Sequence, residues 1–325
     1  MIRPGIPAPA LAPRLGTDVV RERGGVRYHE LAARSLVGRC TSANVPFDWT
    51  ANPYRGCAMG CRYCYAAYTH DFLGRDGASE FHSVVYVKTG GEPLTRRRLA
   101  SAARRGELVA LGTATDPYQP GESAARTARR FLELAAERRG LRLAVTTKGS
   151  LVLRDLDLLR RIHERGTLSI GVSLISPRAD LLRRIEPWAP PPEVRLEVLR
   201  RLVAEGLDAG LALAPILPGL TDSEADLEAL VKAAAAAGVR RVSWRLLFLR
   251  SPTREKYLAW LGSEFPRYRL AYERAYAGRS HLTGPYPERI AAMMERLRAR
   301  YGLGGETFGR CGREATRPRQ LGLWA

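Results

Sequence analysis

The chain has 325 residues, 45% of them hydrophobic, and a net charge of +19 from 52 basic and 33 acidic residues. This hydrophobic fraction predicts a folded chain with a sizeable core and argues against disorder. No apolar run is long enough to span a bilayer, and the proline-broken N-terminus lacks a signal-peptide core, so we expect a soluble, cytoplasmic protein with no membrane partner. Five cysteines, three of them clustered, fit a reducing compartment better than a disulfide framework.

Arginine supplies nearly all of the positive charge, because only four basic residues are lysines: Lys88, Lys148, Lys232 and Lys256. Arginine neutralises phosphates and releases their counterions, which favours a nucleic acid, and DNA in particular, as a partner. The alternative is that codon composition inflates arginine and that most of these side chains are solvated on helix faces.

The predicted elements begin after an N-terminal segment, residues 1–46, that is rich in Pro, Gly and Arg and predicts an irregular arm. A first strand over residues 47–55 leads directly into a cysteine-rich loop. Five more apolar runs, each followed by a helical pattern, begin near Leu108, Leu141, Leu168, Ala209 and Val242. Six strands that alternate with helices predict an α/β fold with a parallel sheet.

We expect the barrel-like domain to cover residues 47–250, a C-terminal helical extension to cover 251–303, and a flexible basic tail to cover 304–325. Ile290, Met293, Met294 and Leu297 recur at helical spacing within that extension. Polar residues gather where the strands end, over residues 113–116, 146–148 and 173–176. Since the carboxyl ends of parallel strands share one edge, a site built from several strand ends is expected beside the cysteine loop.

The cysteine loop contains Cys57, Cys61 and Cys64 in a C-x3-C-x2-C pattern, with Tyr63 and Tyr65 on either side of the last sulfur. Three thiols this close cannot all form disulfides, but they can hold one metal centre. Cubane iron–sulfur clusters are normally held by four thiolates, so three would leave one iron open to a substrate or cofactor. The alternative is a structural zinc site completed by His70 or His82.

The segment from Asn52 to Tyr65, with Asn-Pro-Tyr-Arg-Gly ahead of the first cysteine, resembles the radical S-adenosylmethionine (SAM) superfamily. Within it, the chain is similar to the spore photoproduct lyase-like branch over about residues 46–303. The resemblance implies a partial (β/α)6 barrel of the TIM type, a [4Fe-4S] cluster on the three cysteines, and SAM on the open iron. It also implies a reducing electron donor, such as flavodoxin or ferredoxin, and a 5′-deoxyadenosyl radical that takes hydrogen from the substrate.

The same resemblance implies which strand-end residues contact SAM. Contacts to the methionyl amino group fall in the segment after the second strand, which holds Thr113, Thr115 and Asp116. Contacts to the carboxylate or ribose fall on Lys148 and Ser173, and adenine packing falls on Ile216. The alternatives are a surface charge for the lysine, backbone satisfaction for the serine and plain barrel core for the isoleucine.

Tyr63 and Tyr65 match tyrosines that assist radical transfer or line the SAM pocket in the lyases, although packing over the cluster is an alternative for both. Gly56 is expected to permit a close approach of the backbone to the cluster. The lyases return hydrogen through a cysteine just after the second strand, and residues 113–116 contain none. The hydrogen would then come from deoxyadenosine, a tyrosine or another thiol, of which Cys311 is the best placed, unless it is an inert cysteine.

The last residues, from Gln320 to Trp324, resemble the peptide by which bacterial repair proteins bind the sliding clamp, unless the tail folds back onto the barrel. The favoured function is therefore a radical SAM enzyme that repairs a crosslinked or damaged pyrimidine in DNA. The missing cysteine keeps open a radical SAM enzyme that modifies RNA or a peptide. A non-catalytic, metal-stabilised nucleic-acid-binding protein is the third possibility.

Overall fold

The computed structural model describes residues 21–42 and 45–304. Its strands are β1 (Arg21–Arg23), β2 (Val26–Ala32), β3 (Val37–Arg39), β4 (Trp49–Ala51), β5 (Tyr54–Arg55), β6 (Val84–Thr89), β7 (Leu108–Leu111), β8 (Arg142–Thr147), β9 (Thr167–Ser173), β10 (Ala209–Ile216) and β11 (Val242–Leu246). Its α-helices are α1 (Gly77–Glu80), α2 (Glu92–Arg105), α3 (Glu122–Ala125), α4 (Thr127–Ala136), α5 (Leu156–Arg165), α6 (Ala179–Ile185), α7 (Pro192–Ala204), α8 (Glu224–Ala236), α9 (Thr253–Glu264), α10 (Pro266–Ala275) and α11 (Pro285–Arg300). Two 3-10 segments cover Tyr65–Leu73 and Ser150–Asp155.

The larger sheet has the order β11-β10-β9-β8-β7-β4-β3. The six strands from β11 to β4 are parallel to their neighbours, and β3 runs antiparallel to β4 at the edge. The order follows the chain from β7 to β11, with helices between consecutive strands. The predicted α/β class, and the partial barrel of six parallel strands within it, are confirmed.

The parallel strands form because their residues are apolar on both faces, as strands covered by helices require. Val145 of β8, Ile170 of β9 and Leu211 of β10 are fully buried. Phe131 and Leu132 of α4 pack into the same core from the helical layer. This packing fixes the carboxyl ends of the strands, where the polar residues lie.

A second, four-stranded sheet has the order β1-β2-β6-β5, and it differs from the irregular arm predicted for this part of the chain. Strand β2 buries Val26, Tyr28 and Leu31 and pairs in parallel with β6. Arginine and glycine around β2 obscure its short apolar pattern, and its parallel partner lies far along the chain. The sheet matters for the site because β5 leads into the cysteine loop and β6 packs beside it.

Helices α9, α10 and α11 follow the barrel strands, although the predicted domain boundary at residue 250 stays a prediction. Tyr301, just after α11, donates a hydrogen bond to Glu228 of α8 at 2.9 Å. Thr253 Oγ1, at the start of α9, donates a hydrogen bond of 2.7 Å to the carbonyl oxygen of Cys64. None of the helices in the described residues is long and apolar enough to cross a membrane.

Candidate metal and cofactor site

The three clustered cysteines lie in the loop between β5 and the 3-10 segment Tyr65–Leu73. Cys57 and Cys61 are buried, Cys64 is half-buried, and none forms a disulfide. Burial raises the pKa of the Cys57 thiol to about 12 and raises the pKa of the other two thiols above their usual range. Because the protein alone favours neutral thiols, a bound metal centre would have to supply the positive charge that ionises them.

A buried glutamine, Gln119, stabilises the backbone of the loop, and the sequence analysis did not predict this role. Gln119 accepts a hydrogen bond from Ala58 N at 2.8 Å and donates one to Gly56 O at 3.2 Å. The backbone N–H of Asp116 donates to Cys57 Sγ at 3.5 Å. The segment after β7 therefore supports both the backbone of the loop and one of its sulfurs.

Two glycines allow the loop to pack closely against its neighbours. Gly56 has a φ of +82°, and a Cβ there would lie 2.4 Å from Val84 O of β6. The close approach expected at Gly56 therefore involves this neighbouring strand. Gly60 has a φ of +71°, and a Cβ there would lie 2.7 Å from Trp188 Cε3. Only glycine fits both the backbone conformation and the space at these positions.

The histidines of the zinc alternative are engaged with backbone carbonyls. His82 Nδ1 lies 2.8 Å from Cys57 O, and its Nε2 lies 3.1 Å from Cys61 O. His70 is fully buried, with Nε2 at 2.9 Å from Val84 O. Within residues 21–42 and 45–304, no three or more His, Cys, Asp or Glu side chains form a group that could hold a single metal ion. The geometry does not favour a zinc site completed by either histidine.

Tyr63 belongs to a buried charged network behind the loop. Its hydroxyl donates a hydrogen bond to Glu186, whose other carboxylate oxygen lies 2.5 Å from Arg195 Nη2. Lys148 Nζ lies 4.0 Å from the same carboxylate and 5.9 Å from the centre of the Tyr63 ring. Burial opposes the charged carboxylate, yet Arg195 and Lys148 hold the pKa of Glu186 below its usual range. This network fixes the Tyr63 hydroxyl away from other partners.

Two sets of hydrogen bonds engage the segment after β7, one from Asn52 and one from Tyr65. Asn52 Nδ2 donates to Thr113 Oγ1 at 3.0 Å, and Asn52 Oδ1 accepts from Ala114 N at 2.8 Å. The Tyr65 hydroxyl donates to the carbonyl oxygen of Thr113. The structure therefore brings Tyr65 to the predicted amino-group segment.

Asp116 holds the ends of β7 and β8 together. Its carboxylate accepts hydrogen bonds from Thr147 Oγ1 at 2.6 Å, Lys148 N at 2.7 Å and Tyr118 N at 2.9 Å. Thr115, which is buried, has its hydroxyl 3.5 Å from Tyr54 O. These contacts give Asp116 and Thr115 clear structural partners, and their contact with SAM stays a prediction.

Ser173 has a polar side-chain atom without a protein partner among the described residues, and Lys148 places a cation at the end of the neighbouring strand. Ser173 is 3% exposed, and its Oγ has no hydrogen-bond partner among the described residues. Burial lowers the pKa of Lys148, but Cys61 and Glu186 outweigh it and raise that pKa above its usual value. Ile216 is fully buried in the main core, and its carbonyl accepts from Leu247 N at 3.1 Å. A buried free hydroxyl and a cation at neighbouring strand ends fit a polar ligand such as an amino acid.

Arg195 and Gln119 carry much of the site's geometry, and no spacing rule in the sequence points to them. Gln119 acts on the cysteine loop from far along the chain, whereas Arg195 of α7 reaches Glu186 just after α6 and the carbonyl of Ser173. Asn52, which begins the family-like segment, also contacts a distant residue, Ala114. Cys311 and the predicted clamp-binding peptide Gln320–Trp324 lie outside the described residues, so both stay predictions.

Comparison with known proteins places this site in a family context. The family model of the radical SAM superfamily matches residues 51–242. An uncharacterized protein of Mycobacterium tuberculosis is 36% identical over 284 residues, covering 87% of this chain and 83% of the relative. An uncharacterized protein of Acidianus two-tailed virus is 32% identical over 217 residues, covering 64% of this chain and 69% of the relative.

The fold is similar to solved structures as well. Spore photoproduct lyase complexed with dinucleoside spore photoproduct has a TM-score of 0.66 at 16% identity, covering 86% of this chain and 80% of that chain. SuiB from Streptococcus suis bound to S-adenosylmethionine has a TM-score of 0.51 at 10% identity, covering 79% of this chain and 50% of that chain. At these identities the likeness concerns the fold alone.

Proposed function

Because this chain belongs to the radical SAM superfamily, we propose that it is a DNA repair enzyme that splits a crosslinked or damaged pyrimidine in the manner of a photoproduct lyase. It is a radical SAM enzyme, and its cofactors are a [4Fe-4S] cluster and SAM. The observation that carries the DNA assignment is the net charge of +19, because SAM has no phosphate that would need it.

Residues of the cysteine loop and the strand ends fit the two cofactors. Cys57, Cys61 and Cys64 hold three irons and leave the fourth for the amino and carboxylate groups of SAM. Lys148 offers a cation to that carboxylate, and Ser173 offers a hydroxyl that has no protein partner among the described residues. When bound, the cluster supplies the electron, received from a donor such as flavodoxin or ferredoxin, that splits SAM into methionine and a 5′-deoxyadenosyl radical.

The substrate step is a hydrogen transfer followed by bond cleavage. The bound cofactors would supply a 5′-deoxyadenosyl radical that takes a hydrogen atom from the lesion, and the carbon–carbon bond joining the two bases would then break and leave a pyrimidine radical. We propose that 5′-deoxyadenosine returns a hydrogen atom to this radical. That transfer would regenerate the 5′-deoxyadenosyl radical, which would rejoin methionine as SAM and return the electron to the cluster. Residues 113–116 contain no cysteine, and the hydroxyls of Tyr63 and Tyr65 already donate to protein acceptors. A damaged base leaves the stack at less cost than an intact one, which eases its entry to the site.

The test uses anaerobically reconstituted full-length protein with dithionite and SAM carrying deuterium at the 5′ carbon. We expect ultraviolet-irradiated DNA, and not unirradiated DNA, to be repaired, with deuterium in the restored pyrimidine. Cys61→Ala should abolish both repair and the formation of 5′-deoxyadenosine. If irradiated DNA leaves SAM cleavage unchanged and irradiated RNA is converted to product, the substrate is RNA. If neither irradiated DNA nor irradiated RNA is converted, the repair assignment is overturned.

A further inference from the structure

A cavity of about 300 Å³ opens beside the cofactor site, bounded by β3, β4, β5, β6, α2 and the segment Tyr65–Leu73. Three of its lining residues are cations, Arg55 of β5, Lys88 of β6 and Arg98 of α2, and none is acidic. The metal-binding cysteines, Lys148 and Ser173 do not line it. The cavity therefore adjoins the predicted cofactor site through Thr115, and the charge of its lining favours an anion.

The three cations lack counterions in the described part of the chain. Arg55 Nη1 donates to Thr69 O at 3.1 Å, and Arg98 Nη1 donates to Val37 O. No hydrogen bond or ion pair engages Lys88 Nζ within the described residues. Burial lowers the pKa of Lys88 to about 8, and the charge of Arg55 adds to the effect. A cation that is partly withdrawn from water gains from an opposite charge nearby, so an anionic ligand would stabilise these three side chains.

Other arginines in this protein show the contrast. Arg129 lies 2.8 Å from Asp155 and 2.9 Å from Asp157, and Arg154 lies 2.8 Å from Glu122. These two arginines have carboxylate partners, whereas no salt bridge engages any of the three cations of the cavity within the described residues.

One wall of the cavity is shared with the segment that is expected to bind SAM. Asn52, Ala114 and Thr115 line the cavity. Asn52 Oδ1 accepts from Ala114 N at 2.8 Å and from Thr115 N at 3.3 Å, and the carbonyl of Thr113 accepts from Tyr65. A ligand in the cavity would therefore lie next to the segment that is predicted to contact SAM, as a substrate of the same site should.

An exposed aromatic ring stands at the edge of the cavity. Phe72 lines it and is 57% exposed, although large apolar side chains are usually covered. Its ring packs edge-on against Tyr68 at 5.8 Å, and Arg250 lies over the Tyr68 ring at 5.3 Å. Cations that follow a backbone, beside aromatic rings on which bases stack, are the usual means of binding single-stranded nucleic acid.

We propose that this cavity binds a phosphodiester of an unpaired nucleic-acid strand through Arg55, Lys88 and Arg98, with a neighbouring base stacked on Phe72. The inference rests on the proposed function, since it assigns the part of the same site that holds the substrate backbone. The cavity volume is at the lower end of the range for ligand pockets, which fits one phosphate group with part of its sugar.

The first experiment measures the binding of a fluorescein-labelled thymidine decanucleotide to reconstituted full-length protein by fluorescence anisotropy. Lys88→Gln should raise Kd by about five- to tenfold and lower the slope of log Kd against log salt by about 0.7, the contribution of one phosphate contact to a single strand. Lys232→Gln is the matched control, because Lys232 makes the same charge change on the exposed surface of α8. It should leave Kd within twofold of the unaltered protein.

The second experiment separates the phosphate from the base. A methylphosphonate decanucleotide has no backbone charge, so Lys88→Gln should no longer matter for its binding. Phe72→Ala should weaken both strands, whereas Leu270→Ala, which removes an apolar side chain that is 56% exposed, should weaken neither. Phe72→Ala and Leu270→Ala both alter exposed side chains, so their comparison still tests the stacked base if Lys88→Gln fails to fold.

Equal Kd values for Lys88→Gln and Lys232→Gln would overturn the phosphate subsite while leaving DNA binding intact. An effect of Lys88→Gln that persists on the uncharged strand would also overturn it. Failure of the unaltered protein to bind any charged strand would overturn both this inference and the proposed DNA substrate. SAM cleavage by the reduced unaltered protein, without a strand, tells that failure apart from a damaged cofactor site.

Discussion

Glu186 and Arg195 form an ion pair that is completely buried, with 2.5 Å between Glu186 Oε2 and Arg195 Nη2. Arg195 Nη1 also donates to Ser173 O at 2.9 Å, and its Nε donates to Pro190 O at 2.6 Å. The pair therefore links the Tyr63 hydroxyl, through Glu186, to the end of β9. A buried pair seldom adds net stability, but it places two cofactor-site segments in one fixed geometry.

Removing one partner of this pair should be costly. Arg195→Met leaves the buried Glu186 carboxylate with the Tyr63 hydroxyl and the more distant Lys148 as partners but without its close ion pair. We therefore expect a loss of about 3–5 kcal/mol in the free energy of unfolding. Urea unfolding of the reconstituted protein measures it. Arg200→Met is the control, because Arg200 pairs with Glu197 on the exposed face of α7 and its loss should change little. Equal losses for the two variants would contradict the assigned role of the buried pair.

Gly56→Ala should prevent the cysteine loop from closing. The substitution combines a positive φ with a Cβ that would lie 2.4 Å from Val84 O, a backbone atom that cannot move aside easily. We expect most of the bound iron to be lost, as measured by iron and sulfide content and by the visible absorption spectrum. Gly140→Ala has a similar φ of +71° and nothing within 4 Å of its Cβ, so it should retain its iron. Full iron content in Gly56→Ala would show that the loop tolerates the clash.

Ser173→Ala should change stability and SAM affinity in opposite directions. The hydroxyl is buried without a partner, so its removal should stabilise the SAM-free protein by about 1 kcal/mol. If the hydroxyl contacts SAM, the same change should raise KM for SAM severalfold. Ser169→Ala, within the same strand but away from its end, should leave KM unchanged. An unchanged KM in Ser173→Ala would remove Ser173 from the set of SAM contacts.

The affinity for the charged decanucleotide should fall as pH rises through about 8. Lys88 carries its proton below that pH and loses it above, and the bound phosphate moves the midpoint upward by favouring the charged form. Arg55 of β5 and Arg98 of α2 are the other charged groups that line the cavity. Anisotropy titrations from pH 7 to 9.5 measure the change. Lys88→Gln should give a flatter profile, and identical profiles would contradict the titration of Lys88.

The barrel strands and the convergence of the three cysteines were predictable because their signals are local. The apolar runs near Leu108, Leu168 and Val242 coincide with the starts of β7, β9 and β11. Cys57, Cys61 and Cys64 lie within a single turn-rich segment, so their spacing alone shows that they converge. The apolar runs and the cysteine spacing can each be recognised from a few neighbouring residues.

The supporting residues were not predictable in the same way. Gln119 reaches the cysteine loop across the sheet, and Arg195 reaches Glu186 from a different helix. The β2–β6 pairing joins a short, arginine-flanked strand to one about sixty residues later. For Gln119 and for the β2–β6 pairing, the signal is a contact between distant segments, which composition and periodicity do not contain. The Arg195–Glu186 pair joins the end of α6 to α7, and no local pattern marks it.

The hydrogen bond from Thr253 to the carbonyl of Cys64 makes the start of α9 a reporter on the state of the cysteine loop. When iron stabilises the loop, local opening of α9 breaks a contact with a rigid partner, and amide exchange in its first turn slows. When a chelator removes the iron, the partner loosens and exchange quickens there before it does in the distant strands of the sheet. We therefore expect occupancy of the metal centre to alter amide exchange at the start of α9, with the Cys64 carbonyl as one of the contacts that connect the two.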